Sequence, residues 1–538
     1  MPDWIGYRWL AERYGVGAVQ AFRTDSAIGK SRATMRENGY VHEQYPPAAR
    51  PPQSLAGHLT FALKHEGVHL EFLARLFDAA PATELAAWVA AEPTGQYARR
   101  AGFFYEYLTG RALDFPGVAA GNYVTALDEE IYLTSSQSTN NQRWRVRDNL
   151  PGSREFCPVV LRTAAVQQAE QYSCAAHLAA LEAEFGADVL QRSAVWLTIK
   201  ESRASFAIER EEQHVDRVRR FAAAMERWCG RHETPLSEES LGELQAEILG
   251  PRATRYGVRR SPVFVGEVDG FHEVVHYIAP HWDDAPQLLS GLRDCAERTA
   301  GGSALVRAAV LSFGFVYIHP MSDGNGRISR FLVNDVLRRD GAVPEPFILP
   351  VSATITSSVI KRRGYDQVLE LFSLPLMRRY TDAWRFGPEQ MAEDGVRYNL
   401  QFDAYADALN AWRYPDLTDH VEYIADIMRV TIEQEMRKEA GYLRSLRLAR
   451  ERVKQVIEGP DTDIDRIIRS MRDNGGKVSK KLAKEFPALA DEATAAELVD
   501  ALQGVFQAAP AEGAPGLSRA TTRDPVARLR MHCVRPSV

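Results

Sequence analysis

The stretch that decides the fold is IHPMSDGNGRISRF, residues 318–331. An apolar run, SALVRAAVLSFGFVYI, leads into it and predicts a buried helix that Pro320 ends. A second helical run, ISRFLVNDVLRRD, follows at once, and Gly341 is a suitable residue for its end. The sequence therefore predicts two helices joined by a short, glycine-containing bend.

This bend has the residues of an anion-binding site. Gly324 and Gly326 allow a tight turn in which backbone N–H groups converge at the start of the second helix, where the helix dipole favours negative charge. Arg327 and Arg330 are three residues apart, so they share one helix face and can both bind phosphate oxygens. The pattern indicates a site for a phosphate group.

Three more polar residues add reactive chemistry to this site. Asp323 is a hard oxygen ligand of the kind that Mg²⁺ prefers. The side-chain amide of Asn325 can donate to a non-bridging phosphate oxygen, and His319 has an ordinary pKa near neutrality that suits a base. A base, a metal ligand and two cations around converging amides indicate phosphoryl or nucleotidyl transfer.

The segment HPMSDGNGRISR, residues 319–330, resembles the signature of the Fic family, His-Pro-Phe-x-Asp/Glu-Gly-Asn-Gly-Arg-x-x-Arg, with Met321 in place of Phe. The resemblance implies a mostly α fold, with a Fic-type helical core, a small β-hairpin flap, and helical N-terminal and C-terminal regions on either side. It also implies a protein adenylyltransferase that moves AMP from ATP to a Ser, Thr or Tyr hydroxyl. The intact Gly-Asn-Gly-Arg favours AMP transfer over phosphate transfer.

The same resemblance implies a role for each residue of the segment. His319 would be the general base and Asp323 would hold Mg²⁺. The remaining residues would bind ATP: the Gly324–Gly326 amides and Asn325 at the α- and β-phosphates, Arg327 at the β-phosphate and Arg330 at the γ-phosphate. Further along, KRRGYD (361–366) is similar to the family's Asn-Arg-x-x-Tyr-Tyr near the adenine, which makes Tyr365 a candidate nucleotide contact.

A β-hairpin precedes the bend. Two runs rich in β-branched and aromatic residues, 262–268 and 271–277, flank Asp269-Gly270, a pair that suits a two-residue type I′ turn. The hairpin is similar to the Fic flap. That similarity implies that the target protein adds to the flap as a strand, main chain to main chain. The residues expected to bind the target are Val263, Phe264, Val265 and Gly266.

A third segment, ESRASFAIER (201–210), resembles the family's inhibitory helix, Ser/Thr-x-x-x-Glu-Gly/Asn, with Arg210 at the last position. Ser205 and Glu209 are four residues apart and so share a helix face. The resemblance implies that Glu209 pairs with Arg330 and occupies the cation meant for the γ-phosphate. An ordinary solvated helix face is the alternative for the Ser205/Glu209 pattern alone.

With 538 residues, the chain is expected to form two to four domains. We predict a largely helical N-terminal lobe (1–160) and a Fic domain (161–380) with the inhibitory helix at about 200–211 and the flap at about 262–278. A helical region (381–510) and a disordered tail (511–538) would follow. The helical region includes a candidate helix-turn-helix with Lys477, Lys480, Lys481 and Lys484, so DNA is a candidate partner.

Bulk composition narrows the class of protein. The formal net charge of -6 gives no overall attraction to nucleic acid or to anionic membranes, and no apolar stretch is long enough to span a membrane. The N-terminus lacks a signal-peptide pattern, and five cysteines without a CxxC pair predict a reducing compartment. We expect a cytoplasmic protein that acts on an unidentified protein. Whether it also modifies itself, and whether it forms a homo-oligomer, both stay open.

The sequence leaves three alternative functions open. The same site could remove AMP, with Glu209 orienting a water molecule. A nucleic-acid-binding regulator could use the Fic core as a nucleotide sensor. More remotely, His65, Glu66 and His69 spell the HExxH motif of zinc peptidases, although Gly67 weakens the helix that this motif requires.

Overall fold

The computed structural model describes residues 2–505 except 38, 212, 252, 270 and 271. Over these residues the protein is mostly helical, with small sheets of two to four strands, which confirms the expected fold class. Buried apolar side chains form three separate clusters along the chain, one N-terminal, one central and one C-terminal. Across the described ranges, no helix combines the length and apolar composition needed to cross a membrane.

The N-terminal part mixes helices with two sheets. Its elements are β1 (Asp3–Ile5), α1 (Tyr7–Tyr14), β2 (Thr24–Ile28), β3 (Ala33–Glu37), β4 (Tyr40–Tyr45), a 3₁₀ turn (Pro47–Ala49), α2 (Leu55–His65), α3 (Leu70–Ala79), α4 (Ala82–Ala91), α5 (Gln96–Thr109), β5 (Val124–Thr125), β6 (Thr139–Asn141) and β7 (Val146–Asp148). The first sheet has the order β1-β2-β4-β3, with β2 and β4 parallel, and the second has the order β5-β7-β6.

The expectation of a largely helical N-terminal lobe missed both sheets. β3 has five exposed residues and therefore no apolar alternation that a sequence pattern could reveal. β2 pairs with β1, from which α1 separates it, and in parallel with β4, but not with β3, which follows it directly, so no hairpin signal marks it. The strands of the second sheet have only two or three residues each.

The central part holds the candidate site. Its elements are α6 (Ala164–Gln171), α7 (Cys174–Phe185), α8 (Ala187–Ile208), α9 (Val215–Trp228), α10 (Glu238–Leu249), β8 (Phe264–Asp269), β9 (His272–Ile278), α11 (Ala285–Arg298), α12 (Ala304–Ile318), α13 (Asn325–Arg339), α14 (Val351–Thr356), α15 (Val359–Arg379), β10 (Trp384–Met391), β11 (Arg397–Phe402), α16 (Tyr405–Arg413) and α17 (Thr418–Val430). The central core continues to Ala440, so residues beyond the expected boundary at 380 pack with this part.

Helices α12 and α13 are the two helices that the sequence predicts, and they pack against each other across the bend. α12 is buried along almost its whole length, as its continuous apolar run requires. It ends at Ile318, and His319 follows with a left-handed backbone, φ 50° and ψ 52°. α13 begins at Asn325 after Gly324, which is also left-handed with φ 81°. The predicted bend is confirmed.

β8 and β9 form the predicted antiparallel hairpin, with a register shift between Val265 and Gly266. The expected Asp269-Gly270 turn falls partly on residue 270, which lies outside the described residues.

The C-terminal part begins within a long helix. A π-helical turn (Thr431–Met436) leads from α17 into α18 (Arg437–Val456), followed by α19 (Asp461–Asp473), α20 (Lys480–Glu485), a 3₁₀ turn (Pro487–Ala490) and α21 (Glu492–Leu502). The expected helical region 381–510 also contains the β10–β11 hairpin. It was missed because Trp384–Met391 includes Gly387, Pro388 and three polar residues. The candidate helix-turn-helix corresponds to α19 and the six-residue α20, and DNA binding stays a prediction. The expected disordered tail, 511–538, lies outside the described residues.

Helix α8 is attached to the central core by a buried carboxyl group. Glu201 is 0% exposed and accepts hydrogen bonds from the backbone N–H of Ser352 (2.7 Å) and from its hydroxyl (2.5 Å), at the start of α14. Burial, opposed by these hydrogen bonds, raises the pKa of Glu201 to about 7. Glu201 therefore fixes α8 two turns before Glu209.

We expect Glu201→Gln to reduce the pH dependence of stability. Because the folded-state pKa of Glu201 lies above its ordinary value of 4.5, the stability contributed by the protonated form is fully present below that value. It is lost as the pH rises through about 7, by on the order of 3 kcal/mol in total. Urea unfolding at acidic and alkaline pH should show a smaller change of midpoint in the variant. The same change in both proteins would contradict this assignment.

Candidate active site

The bend between α12 and α13 is closed by the side chain of Asn325. Its Oδ1 accepts from the Met321 N–H (2.8 Å), and its Nδ2 donates to the Met321 carbonyl (2.9 Å). Asn325 is 2% exposed. Both ends of the amide therefore hold the loop, and binding of phosphate by the second N–H of Nδ2 stays a prediction.

Two further contacts hold the bend against its neighbours. The side chain of Met321 is fully buried, as expected for a residue in the position of the family's Phe. Gln245, on α10, donates to the Asp323 carbonyl (2.8 Å) and accepts from the Gly257 N–H (2.6 Å). Sequence reasoning missed Gln245, and no local pattern marks it, since its partners lie 12 and 78 residues away.

His319 is placed and protonated as a base requires. Its Nδ1 donates to the carbonyl of Val316 (3.1 Å), which puts the neutral ring's proton on Nδ1 and leaves the Nε2 lone pair available. The residue is 7% exposed. Burial lowers the pKa of His319 to about 4, so the imidazole is neutral at physiological pH.

The two arginines of the bend share one carboxylate. Glu209 follows α8 directly, and its Oε2 lies 2.8 Å from Arg327 Nε while its Oε1 lies 2.7 Å from Arg330 Nη2. Burial opposes ionisation of Glu209, but the two guanidinium groups outweigh it and hold the pKa of the carboxyl below its usual value. A Cβ on Gly326 would lie 2.6 Å from Glu209 Oε1, so only glycine permits this approach.

The rest of the resembling helix supports this pair. Ser205, fully buried, accepts from Arg330 through both its hydroxyl (2.7 Å) and its carbonyl (3.0 Å). Arg210 has a left-handed backbone with φ 59°, which explains why the family pattern has Gly or Asn at this position. The structure thus brings Ser205 and Glu209 to Arg330, as the resemblance implied.

Asp323 fits a magnesium ligand. Its side chain is 42% exposed, and its Oδ1 accepts from the Gly324 N–H (2.6 Å) and lies 3.3 Å from Arg327 Nη2. Among the described residues, no donor is bonded to Oδ2. Across the part of the chain that the structure describes, no three His, Cys, Asp or Glu side chains are arranged to hold a metal ion. Magnesium here would therefore need oxygen atoms from a bound phosphate as well.

Tyr365, the candidate adenine contact, lies in the central core. It is 4% exposed with its ring 6.2 Å from that of Tyr423, and its contact with a nucleotide stays a prediction. Its neighbour Arg362 instead donates to the carbonyl of Ile208 (2.9 Å), the last residue of α8. The segment 361–366 therefore contacts the end of the helix that precedes Glu209.

Val258, which precedes the flap, forms a bridge with Met321 of the bend. The expected target-binding residues Val263, Phe264, Val265 and Gly266 lie at the start of the flap hairpin, and their contact with a target stays a prediction. The β10–β11 hairpin lies against the flap: the Phe264 and Phe386 rings are 5.7 Å apart, and Arg255 donates to the carbonyls of Asp394 and Gly395. Sequence reasoning missed this second hairpin as a neighbour of the flap.

The zinc-peptidase alternative is wrong. His65 is the last residue of α2 and His69 is the N-cap of α3, so the two imidazoles are not on one helix. His69 accepts from the Phe72 N–H through Nδ1, and Glu66 accepts from the Tyr7 N–H (2.7 Å). Gly67 has φ 91°, and the helix breaks there.

The structure thus places a neutral imidazole, two arginines and the carboxylates of Glu209 and Asp323 around one bend. Residues 235–337 match the family model described as the Fic/DOC family, so the chain carries a Fic-family domain. The match includes the bend and the flap, whereas α8 and Glu209 precede it.

Two relatives are similar to parts of the chain. Protein adenylyltransferase fic-1 of Caenorhabditis briggsae is 32% identical over 120 residues, which cover 22% of this chain and 22% of that protein. The chain therefore matches about a fifth of the length of this curated relative. The crystal structure of a Fic family protein from Desulfovibrio desulfuricans has a TM-score of 0.32 at 19% identity, over 63% of this chain and 84% of that one.

Proposed function

We propose that this protein transfers AMP from ATP to a Ser, Thr or Tyr hydroxyl of a protein, and that Glu209 restrains this activity. One observation carries the proposal: a single internal carboxylate is bound by Arg327 and Arg330 at the glycine-containing bend. A carboxylate and a phosphate present similar oxygens to a guanidinium group. The site therefore accepts an anion where the triphosphate of ATP would lie.

The chain's own residues supply the proton transfer and the charge stabilisation. His319 Nε2 takes the proton of the attacking hydroxyl, whose oxygen forms a bond to the α-phosphorus. The bond from the α-phosphorus to the bridging oxygen breaks, and pyrophosphate leaves with the electron pair. A positioned base of this kind contributes roughly 10²–10⁴-fold. Arg327 and Arg330 would stabilise the charge that develops on the leaving pyrophosphate.

Asp323 is the residue that would hold Mg²⁺, together with phosphate oxygens. When bound, magnesium would supply further neutralisation of the phosphate charge.

Restraint follows from competition for the same two cations. Arg327 and Arg330 are buried, so removing Glu209 without a replacement anion would leave Arg330 uncompensated, whereas Arg327 would keep Asp323 and Glu211. A γ-phosphate can bind Arg330 only when Glu209 leaves. ATP would otherwise bind with its phosphates displaced from His319.

Hydrolytic removal of AMP from a modified protein is a second candidate. It is favoured by the position of the Glu209 carboxylate on Arg327 and Arg330, at the bend that begins with His319. A carboxylate at that position could orient an attacking water. The target protein would add to the flap as a strand, and the chain itself is one candidate target.

We expect Glu209→Gly to raise AMP transfer by on the order of tenfold or more, because restoring charge-assisted hydrogen bonds to the γ-phosphate is worth about 1.5–3 kcal/mol. Mass spectrometry of a cell lysate after expression would report the added AMP and the modified residue. Glu211→Gly is the matched control, since Glu211 is two residues away and contacts Arg327 only at 3.4 Å.

In the double variant Glu209→Gly/His319→Ala, the added AMP should disappear. Equal modification in wild type, Glu209→Gly and Glu211→Gly would remove the claim of restraint. Release of AMP from a pre-modified protein by wild type, and not by Glu209→Gly, would favour removal as the main activity.

Transfer by Glu209→Gly should be nearly independent of pH across the neutral range. The pKa of His319 is about 4 in the intact site, and loss of the Glu209 anion does not raise it. The imidazole therefore stays neutral, and the initial rate should change by less than about twofold between about pH 5.5 and about pH 7.5. A fall with a midpoint near the ordinary histidine pKa of about 6.5 would contradict the buried, neutral base.

A further inference from the structure

Arg259 is a buried cation that has no role in the proposed binding of ATP or in the proposed proton transfer. It lies before the flap and is 1% exposed. Its guanidinium donates to three backbone carbonyls: Nε to His319 (2.8 Å), Nη1 to Ser261 (3.0 Å) and Nη2 to Pro280 (2.6 Å). Its own N–H donates to the carbonyl of Pro320 (2.9 Å).

These four acceptors belong to two different parts of the site. Ser261 precedes β8 and Pro280 follows β9, so they mark the two ends of the flap. His319 and Pro320 are the first two residues of the bend. One side chain therefore joins both ends of the flap to the backbone of the catalytic histidine.

The chemistry of this arrangement is unusual for a structural residue. Among the described residues, the Arg259 guanidinium donates to no carboxylate. Burial lowers its pKa to about 10, so the group is still charged at neutral pH. A buried charge without a counter-ion costs stability relative to an apolar side chain of similar size. Its bonds to three backbone carbonyls, one of them that of His319, indicate a role in holding the site.

The bond to His319 acts on a backbone that is not at its preferred geometry. His319 has a left-handed backbone with φ 50°, a conformation that is unfavourable for a residue with a Cβ. The Nε bond holds the carbonyl of that residue and so fixes the peptide plane that follows it. The imidazole direction depends on this backbone, because Nδ1 must still reach the Val316 carbonyl.

We propose that Arg259 is a positioning residue, which holds the His319 backbone and both ends of the flap in one arrangement so that the base and a flap-bound hydroxyl meet. The role rests on the proposed AMP transfer, but it has a consequence that does not depend on activity. Without the guanidinium, the His319 backbone relaxes and its imidazole becomes more hydrated.

Arg259→Met and Arg259→Lys, each in Glu209→Gly, test the role. Lysine keeps the charge but cannot bond three carbonyls in a fork. For both variants, kcat with the protein target should fall by roughly 10–100-fold, as for other supporting residues, whereas the KM for ATP changes by less than about threefold. Arg260→Met is the matched control, because Arg260 is the next residue and is exposed; it should leave both constants unchanged.

The readout without activity is the titration of His319, followed by NMR on the full chain with labelled histidine and assigned with His319→Ala. Its midpoint should rise toward the ordinary value in both Arg259 variants, more in Arg259→Met, and not in Arg260→Met. Should Arg259→Met fail to fold, as judged by its thermal unfolding midpoint, Arg259→Lys alone decides.

The role of Arg259 would be overturned if the titration midpoint of His319 were the same in Arg259→Lys as in Arg260→Met. A kcat of Arg259→Lys within about twofold of that of Glu209→Gly would also overturn it. Should Glu209→Gly show no transfer at all, the proposed function fails, and the titration still decides the role of Arg259.

Discussion

The structure depends on one shared carboxylate. Glu209 binds both Arg327 and Arg330, which are buried at the start of α13, and it is the carboxylate that pairs with Arg330 there. The end of α8, the glycine at position 326 and the bonds from Arg330 to Ser205 are all arranged around that contact. In the proposed function, the same requirement for an anion would admit a triphosphate, and the internal carboxylate and the substrate would exclude each other.

The second constraint is the backbone of the bend. His319 and Gly324 are both left-handed, and the Asn325 side chain closes the loop between them. The chain holds this geometry with contacts from distant segments: Gln245 on α10 and Arg259 before the flap. The groups proposed to take part in the reaction therefore lie in a short stretch of sequence. The residues that fix their geometry lie 60 and 78 positions away.

That division explains what the sequence could predict. The bend, its two helices and the β8–β9 hairpin follow from local patterns of apolar residues, glycine and proline, and they are confirmed. The Ser205–Glu209 spacing could place both residues on one helix face, but only the resemblance supplied Arg330 as their partner. No local sequence pattern could show that the Asn325 side chain bonds the backbone of Met321, because the same amide could also bind a phosphate.

The misses have different origins. Parallel pairing of β2 with β4 leaves no signal in a window of a few residues. The antiparallel β3–β4 pair does carry one, the Asn38-Gly39 sequence between Glu37 and Tyr40, which sequence reasoning overlooked. Tyr365 has the residue type of an adenine contact, but packing against Tyr423 of α17 buries it. Arg210 stands where the family pattern has Gly or Asn, and its backbone is left-handed, a conformation that is unfavourable for arginine.

The most direct test is the crystal structure of Glu209→Gly with Mg²⁺ and a non-hydrolysable ATP analogue. The account predicts phosphate oxygens within about 3 Å of the Arg327 and Arg330 guanidinium groups, and an α-phosphate beside His319 Nε2. A triphosphate bound away from either arginine, or an α-phosphate out of reach of His319, would contradict it.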